Sequence, residues 1–229
     1  MKDIVGIIGA MDCEIEEILL SMSSVKTYEF SGMTFYKGKI GKTKVVLVKS
    51  GVGKVFASVA TQTLILKFGV TRVINTGVAG SVSHAKIGDI VIASAVAQHD
   101  MDTSALGDPL GLISGINKVF FKSDAYMQGK ALKSAEDLGL NAVIGVIASG
   151  DKFICEEKDK KFARDTFGAL CVEMEGAPVG QVAYINGVPF TVLRSISDDG
   201  ESEHTVEFAT FAKESAKKVS ALLIKMLED

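Results

Sequence analysis

The sequence predicts one α/β domain of three layers, helices on both sides of a mixed central sheet. Three observations carry that expectation. Short runs rich in Val, Ile and Ala recur at 4–9, 33–40, 44–50, 72–78, 88–97, 142–148, 169–173 and 189–196, the texture of strands covered on both faces. Helical periodicity separates many of them. Nearly half of the 229 residues are hydrophobic (47%), but only 7% are aromatic and Trp is absent, so aliphatic side chains must build the core. No internal repeat, low-complexity tract or Pro/Ser-rich linker interrupts the chain. Residues 1–229 are therefore expected to form a single domain.

The chain opens on an apolar run, Ile4 to Ile8, which ends at Gly9 and gives way to an acidic helix. In that helix Ile15, Ile18, Leu19 and Met22 fall at i, i+3, i+4 and i+7, one apolar face. Residues 31–50 read as a β-hairpin turning near Gly41-Lys42, an antiparallel excursion beside the parallel crossovers. Residues 99–122 have weak periodicity and hold Gly107, Pro109, Gly111 and Gly115. A loop so long is usually functional, here a lid or a subunit contact. The last helix repeats the apolar stripe with Phe208, Phe211, Ala212, Ser215, Val219, Leu222, Leu223 and Met226.

Composition excludes several classes of function. The net charge is −3, the only arginines are Arg72, Arg164 and Arg194, and no basic stripe exists to bind nucleic acid. Cys13, Cys155 and Cys171 form no CxxC pair, which suits a reducing compartment and indicates neither disulfide nor zinc. No apolar stretch approaches the ~20 residues that span a bilayer, and the N-terminus lacks a signal-peptide pattern. A cytoplasmic protein without membrane partner is expected. His84, His99 and His204 show no metal-ligand spacing. His99-Asp100-Met101-Asp102 is read as loop structure, and Cys13 as a small apolar filler.

Two glycine motifs do not survive inspection. Val5-Gly6-Ile7-Ile8-Gly9-Ala10 lacks the G-x-G-x-x-G spacing of a dinucleotide site. Ser50-Gly51-Val52-Gly53-Lys54 imitates a P-loop, but Val48 stands where the first glycine belongs and Val55 where Ser or Thr would hold magnesium. It is read as a tight turn that lets backbone approach a ligand.

Carboxylates at the ends of apolar strands are more informative. Glu14 follows Met11 by three residues, so both face the mouth of the first strand. It reads either as favourable charge at a helix N-terminus or as a site residue. Val172-Glu173-Met174-Glu175-Gly176-Ala177 places two acids directly after a buried run. They are solvated helix-start residues or acceptors for ribose hydroxyls, since ligands of open α/β sheets bind beyond the carboxyl ends of strands. Arg194 lies inside the strand Phe190 to Ile196 and needs a carboxylate or ligand partner. Asp198 and Asp199, after Ser197, suit either a turn before Gly200 or the acid that glycosidic cleavage requires. Ser149-Gly150-Asp151-Lys152-Phe153-Ile154 is a return to the core or a wall for a purine.

Six segments in order then carry a resemblance that spans essentially the whole chain: Gly9-Ala10-Met11-Asp12-Cys13-Glu14, Lys49-Ser50-Gly51-Val52-Gly53-Lys54, Asn75-Thr76-Gly77-Val78-Ala79-Gly80, Ser149 to Ile154, Val172 to Glu175, and Arg194-Ser195-Ile196-Ser197-Asp198. Their order and spacing resemble the 5′-methylthioadenosine/S-adenosylhomocysteine nucleosidases of the purine nucleoside phosphorylase superfamily. The resemblance implies that fold, a homodimer, an adenine nucleoside substrate, and neither metal nor organic cofactor. It implies Glu14 as the base that activates water with Arg194 nearby, and Asp198, held by Ser197, as the acid toward purine N7. Glu175 and Glu173 with Met174 would face the ribose. Phe153 and Ile154 would face adenine. Met11, Val52 and Val78 would line the pocket, and Phe208 and the partner's 103–115 loop, with Leu106, would shape its 5′ end. Three departures bear on 5′-substituent preference: Val78 where Ser is frequent, Leu106 and Asp108 where aromatics are, and Ser114 where Pro is common. A phosphorylase is the nearest alternative, but phosphate sites usually draw on Arg clamps and Glu14 stands where phosphate would sit. A nucleoside-binding protein without catalysis would not need all three of Glu14, Glu175 and Asp198.

Overall fold

The computed structural model describes residues 3–198 and 205–228, apart from the side chains of 205–210. In chain order the elements are β1 (Ile4–Gly9), α1 (Asp12–Ser21), β2 (Ser23–Phe30), β3 (Met33–Ile40), β4 (Thr43–Lys49), α2 (Lys54–Phe68), β5 (Arg72–Ser81), β6 (Ile90–Gln98), β7 (Phe121–Lys122), α3 (Ala125–Asp137), β8 (Ala142–Ser149), α4 (Glu157–Phe167), β9 (Ala169–Glu173), α5 (Gly176–Ile185), β10 (Phe190–Asp198) and α6 (Thr205–Glu228).

The strands form one mixed sheet in the order β10-β6-β8-β9-β5-β1-β4-β3-β2, with β7 on β6. Parallel pairs β1–β4, β1–β5, β5–β10, β6–β8 and β8–β9 coexist with antiparallel β3–β4, β5–β9 and β10–β6. The period of two sends Val5 and Ile7 of β1 to one face and Ile8 to the other. On the first face α1, α3 and α6 pack through Ile15, Ile18, Met127, Ala131, Val219 and Leu223. On the second, α2 and α5 pack through Ala57, Ala60, Leu64, Val179 and Ala183. The three-layer α/β/α arrangement with a mixed sheet is as expected. Ring closure was not: β5 pairs with both β9 and β10, so β5, β10, β6, β8 and β9 join end to end. Such pairings link residues far apart in the chain, and local periodicity carries no trace of them.

Two further differences have physical reasons. Residues 23–30 form strand β2, which pairs only with β3 and is exposed along its length apart from a half-buried Phe30. Without a buried face it has no apolar alternation to read. The 99–122 segment is more ordered than its composition suggests. It contains a 3₁₀ turn over Ser104–Leu106, a bridge between Ile113 and Lys118, and β7, whose Phe121 is buried against β6. Asp108 accepts a hydrogen bond from Thr103 Oγ1 at 2.8 Å inside this loop.

Candidate active site

The carboxyl ends of β1, β5, β8, β9 and β10 open on one pocket, lined by Met11, Glu14, Val52, Val78, Phe153, Ile154, Glu173, Met174, Glu175, Ser197 and Asp198. Eleven of the fourteen residues singled out in the sequence thus meet there. Ala10, Ala79, Gly80, Lys152 and Val172 complete the lining. Four of these five are small or aliphatic, a class no motif marks against the core background. Lys152, whose Nζ bonds Asp159 Oδ2 at 2.5 Å, sits inside the quoted Ser149–Ile154 segment.

Glu14 is the third residue of α1 and buried. Its Oε2 accepts the amides of Ala10 (2.7 Å) and Met11 (3.1 Å), and its Oε1 accepts the amide of Val78 (2.9 Å). Oε2 is saturated by two donors, whereas Oε1 keeps one acceptor position. Arg194, 0% exposed on β10, bears on the same point. Gly77 of β5 lies between them, and a methyl group there would strike both Arg194 Nη1 and Glu14 Oε1. Only a glycine lets the carboxylate oxygen and the guanidinium nitrogen crowd this point of β5.

The other side of the guanidinium is filled. Nη2 donates to Asn75 Oδ1 at 2.6 Å and to Glu173 Oε2, and stands 3.5 Å from Glu175 Oε2. Asn75, buried, is oriented by donating Nδ2 to the Ile8 carbonyl at 3.1 Å. Arg194 Nε and Nη1 have no partner among the described residues. Burial opposes the arginine's charge, but Glu173, Glu175 and Glu14 outweigh it and hold the guanidinium protonated. The requirement for a carboxylate beside Arg194 is therefore met twice.

Glu173 and Glu175 divide their work. Glu173 accepts from Ser149 Oγ and from the amides of Glu175 (2.9 Å) and Gly176 (2.8 Å) at the start of α5. Glu175 accepts one amide, that of Gly53, at 2.9 Å. Burial, then the nearby Glu173 charge, push its carboxyl up to about 7. Asp198 lies at the far end of the pocket, its Oδ2 3.5 Å from where a Cβ on Gly80 would stand. Gly77 and Gly80 are three residues apart on β5, so Glu14 and Asp198 are separated by roughly 10 Å along the strand.

The expected hold of the Ser197 hydroxyl on Asp198 is not seen: Oγ is buried without a hydrogen-bond partner among the described residues, and β10 shifts register between Ile196 and Asp198. Arg194 lies behind the lining formed by Glu14 and Glu173. Leu106 is 83% exposed, away from the pocket of its own chain. Phe208 falls on α6, but its side chain lies outside the described residues, and the whole of Asp199 lies outside them too. His99 packs beneath Gly150, and its burial lowers the imidazole pKa. Among the described residues no helix is long and apolar enough to cross a membrane.

Comparison with known proteins agrees with this architecture. The model of the phosphorylase superfamily matches residues 4–228. A 5′-methylthioadenosine/S-adenosylhomocysteine nucleosidase of Shewanella denitrificans is 39% identical over 98% of this chain and 99% of its own. An aminodeoxyfutalosine nucleosidase of Campylobacter jejuni is 36% identical over 98% of each. Among solved structures, the 5′-methylthioadenosine/S-adenosylhomocysteine nucleosidase of Helicobacter pylori, bound to a propynylthiomethyl pyrrolidinol with an aminopyrrolopyrimidine base, superposes with a TM-score of 0.94. It is 37% identical, with 99% of this chain and 98% of that one covered. With its sheet, helical layers and strand-end pocket matched from end to end, the chain belongs to the phosphorylase superfamily, in the branch that holds the 5′-methylthioadenosine/S-adenosylhomocysteine nucleosidases.

Proposed function

We propose that the protein is a cytoplasmic nucleosidase that hydrolyses the N-glycosidic bond of 5′-methylthioadenosine, S-adenosylhomocysteine and 5′-deoxyadenosine, releasing adenine and the 5′-substituted ribose. The observation that carries this reading is the meeting of Glu14 Oε1 and Arg194 Nη1 over Gly77. An acceptor at the pocket wall and a donor just behind it converge there, the pairing that orients a water molecule. Glu14 takes the water's proton at Oε1. The oxygen bonds to the sugar's anomeric carbon as the glycosidic electron pair leaves with adenine, and Asp198 delivers a proton to N7. Bond breaking develops positive charge on the ribose. Even without Glu175, Glu14 and Glu173 outnumber the single guanidinium, so the site's charge favours that transition state.

The same balance disfavours a phosphate dianion, which supports hydrolysis over phosphorolysis. Glu175, with one amide donor, keeps acceptor positions for the ribose hydroxyls, while Met11, Val52, Val78 and Met174 pack about the sugar. Phe153, 55% exposed, and Ile154 form the adenine wall. Arg194 orients the water, and Glu173 fixes Arg194. The test is chromatographic: adenine and free 5′-substituted ribose should form at the same rate with and without phosphate. A sugar 1-phosphate product, or no adenine, overturns the reading. The same assay with different nucleosides ranks the 5′-substituents.

The residues 1–229 act as one domain, and two copies form the working unit. Val55, Phe56, Leu66 and Leu106 are exposed, an apolar surface suited to a second copy that also brings Leu106 to the 5′ end of its neighbour's pocket. Light scattering at micromolar concentration should give twice the 24.3 kDa chain mass. A fully active monomer refutes the dimer.

A further inference from the structure

The pocket's purine-facing loop, Gly150–Ile154, lies between β8 and α4 and is itself neither strand nor helix. It is tied instead to two segments that the chemistry leaves unused. Asp151 N donates to Asp100 Oδ2 at 2.8 Å, and Asp151 Oδ1 accepts the Lys54 amide at 2.8 Å. Lys54 Nζ closes the set by donating to Asp100 Oδ1 at 2.7 Å and to Gln98 Oε1 at 3.1 Å. Each of the three residues therefore bonds both others. Gln98 in turn donates to Gln181 Oε1 on α5 at 2.6 Å.

The triangle reaches the ribose side through one residue. Gly53 has φ +103°, and a Cβ there would lie 3.1 Å from Asp151 Oδ1. Its amide donates to Glu175 Oε1, while the next amide, that of Lys54, donates to Asp151. Successive N–H groups of one turn thus serve a carboxylate on the sugar side and one on the base side. A partly exposed ion pair such as Lys54–Asp100 adds little to global stability. A closed set of charge-assisted bonds does fix direction and distance.

We propose that Asp151, Lys54 and Asp100 are positioning residues that set the spacing between the purine and ribose subsites, acting through Gly53 on Glu175. The inference rests on the reading of the pocket as an adenine-nucleoside site. A fragment that fills one subsite is indifferent to that spacing. An intact nucleoside needs both at once, and loses the benefit of a preorganised site when the tie is cut.

The experiment compares Asp100→Ala, Asp151→Ala and their double variant with the unaltered protein, using kcat/KM for 5′-methylthioadenosine and the inhibition constant of adenine alone. The expected result is a fall in kcat/KM of about tenfold or more in each single variant. The double variant should be no worse than about threefold below the weaker single, since the residues act as one unit. Adenine inhibition should stay within about threefold, and thermal midpoints within a few degrees. Lys54→Met, which keeps the aliphatic stem, supplies the same reading if either alanine variant folds poorly. Parallel losses for nucleoside and adenine would mean that the triangle merely builds the base site, and overturn the proposal. So would unchanged kcat/KM, or fully additive losses. Failure of adenine to bind the unaltered protein would overturn the functional reading along with it, a result distinct from the others.

Discussion

The Val78 amide donates to Glu14 Oε1 at 2.9 Å, across 64 residues of chain, and joins the first helix to β5. With the Ala10 and Met11 amides on Oε2, it leaves the carboxylate one open acceptor position, toward Gly77 and Arg194.

Glu14→Gln should therefore do two things. An amide cannot take a proton from water, and kcat should fall on the order of 10²–10⁴-fold. Glutamine also has one acceptor oxygen for donors on both sides, so its NH₂ must face an N–H group. That mismatch costs about 1–3 kcal/mol, seen as a drop in thermal midpoint of roughly 3–10 °C. Turnover within about threefold of the unaltered enzyme would refute the role.

Gly77→Ala probes the point where Glu14 and Arg194 converge. The methyl group must displace Arg194 or Glu14 by more than bond flexing allows, and small misplacements at a reacting centre cost about 10²-fold. We expect kcat/KM for 5′-methylthioadenosine to drop by about that factor while adenine still inhibits. Activity within about fivefold would show that the two groups need not meet there.

Glu175→Gln should change the pH dependence of stability. The folded protein holds the Glu175 proton up to about 7, above its ordinary 4.5. Between those values the native state binds more protons than the unfolded chain, so this group's stabilisation is complete below about 4.5 and lost as pH rises to about 7. Glutamine carries no such dependence. The variant should gain several degrees in thermal midpoint over the unaltered protein at pH 8 relative to pH 5, with KM raised through lost ribose contacts. Parallel midpoint–pH curves would contradict the assignment.

How much of this was legible follows a physical division. The carboxylates were legible because charge at the end of an apolar strand is costly without a purpose, and Glu14, Glu173, Glu175 and Asp198 all stand at such ends. Arg194 was legible for the same reason, although only the fold shows that Glu173 and Asn75 fill one side of its guanidinium and that Nε and Nη1 have no partner among the described residues. The turn Ser50–Lys54 was half legible. Its failure as a P-loop was clear, but not that its successive amides would meet Glu175 and Asp151 from segments over a hundred and nearly a hundred residues away. Ala10, Ala79 and Gly80 carry no chemistry of their own and become lining only when β5 and β1 are paired. Strand β2 was illegible because it buries no face.

Asp198→Asn discriminates between acid and ligand holder. Asparagine keeps a hydrogen bond to the purine but transfers no proton, so turnover of adenine nucleosides should fall on the order of 10²-fold or more. A 4-nitrophenyl riboside leaves as a stabilised phenolate and should lose far less. The ratio of kcat/KM losses on the two substrates is the measurement, and equal losses would mean that Asp198 positions or supports without donating.

The outlying strand has a consequence for how copies of this chain meet. An unpaired strand edge offers a row of free amides and carbonyls on which another chain can template itself. Here that edge carries Lys26 and Glu29, a positive φ at Ser24 and a register shift between Ser23 and Lys26. Charge and distortion together blunt it as a docking rail, and at the other end β5, β10, β6, β8 and β9 close on one another, leaving among the described strands only the two-residue β7 as an edge. Extension of the sheet from molecule to molecule is thus disfavoured at both ends, which turns contact between crowded copies toward side-chain surfaces.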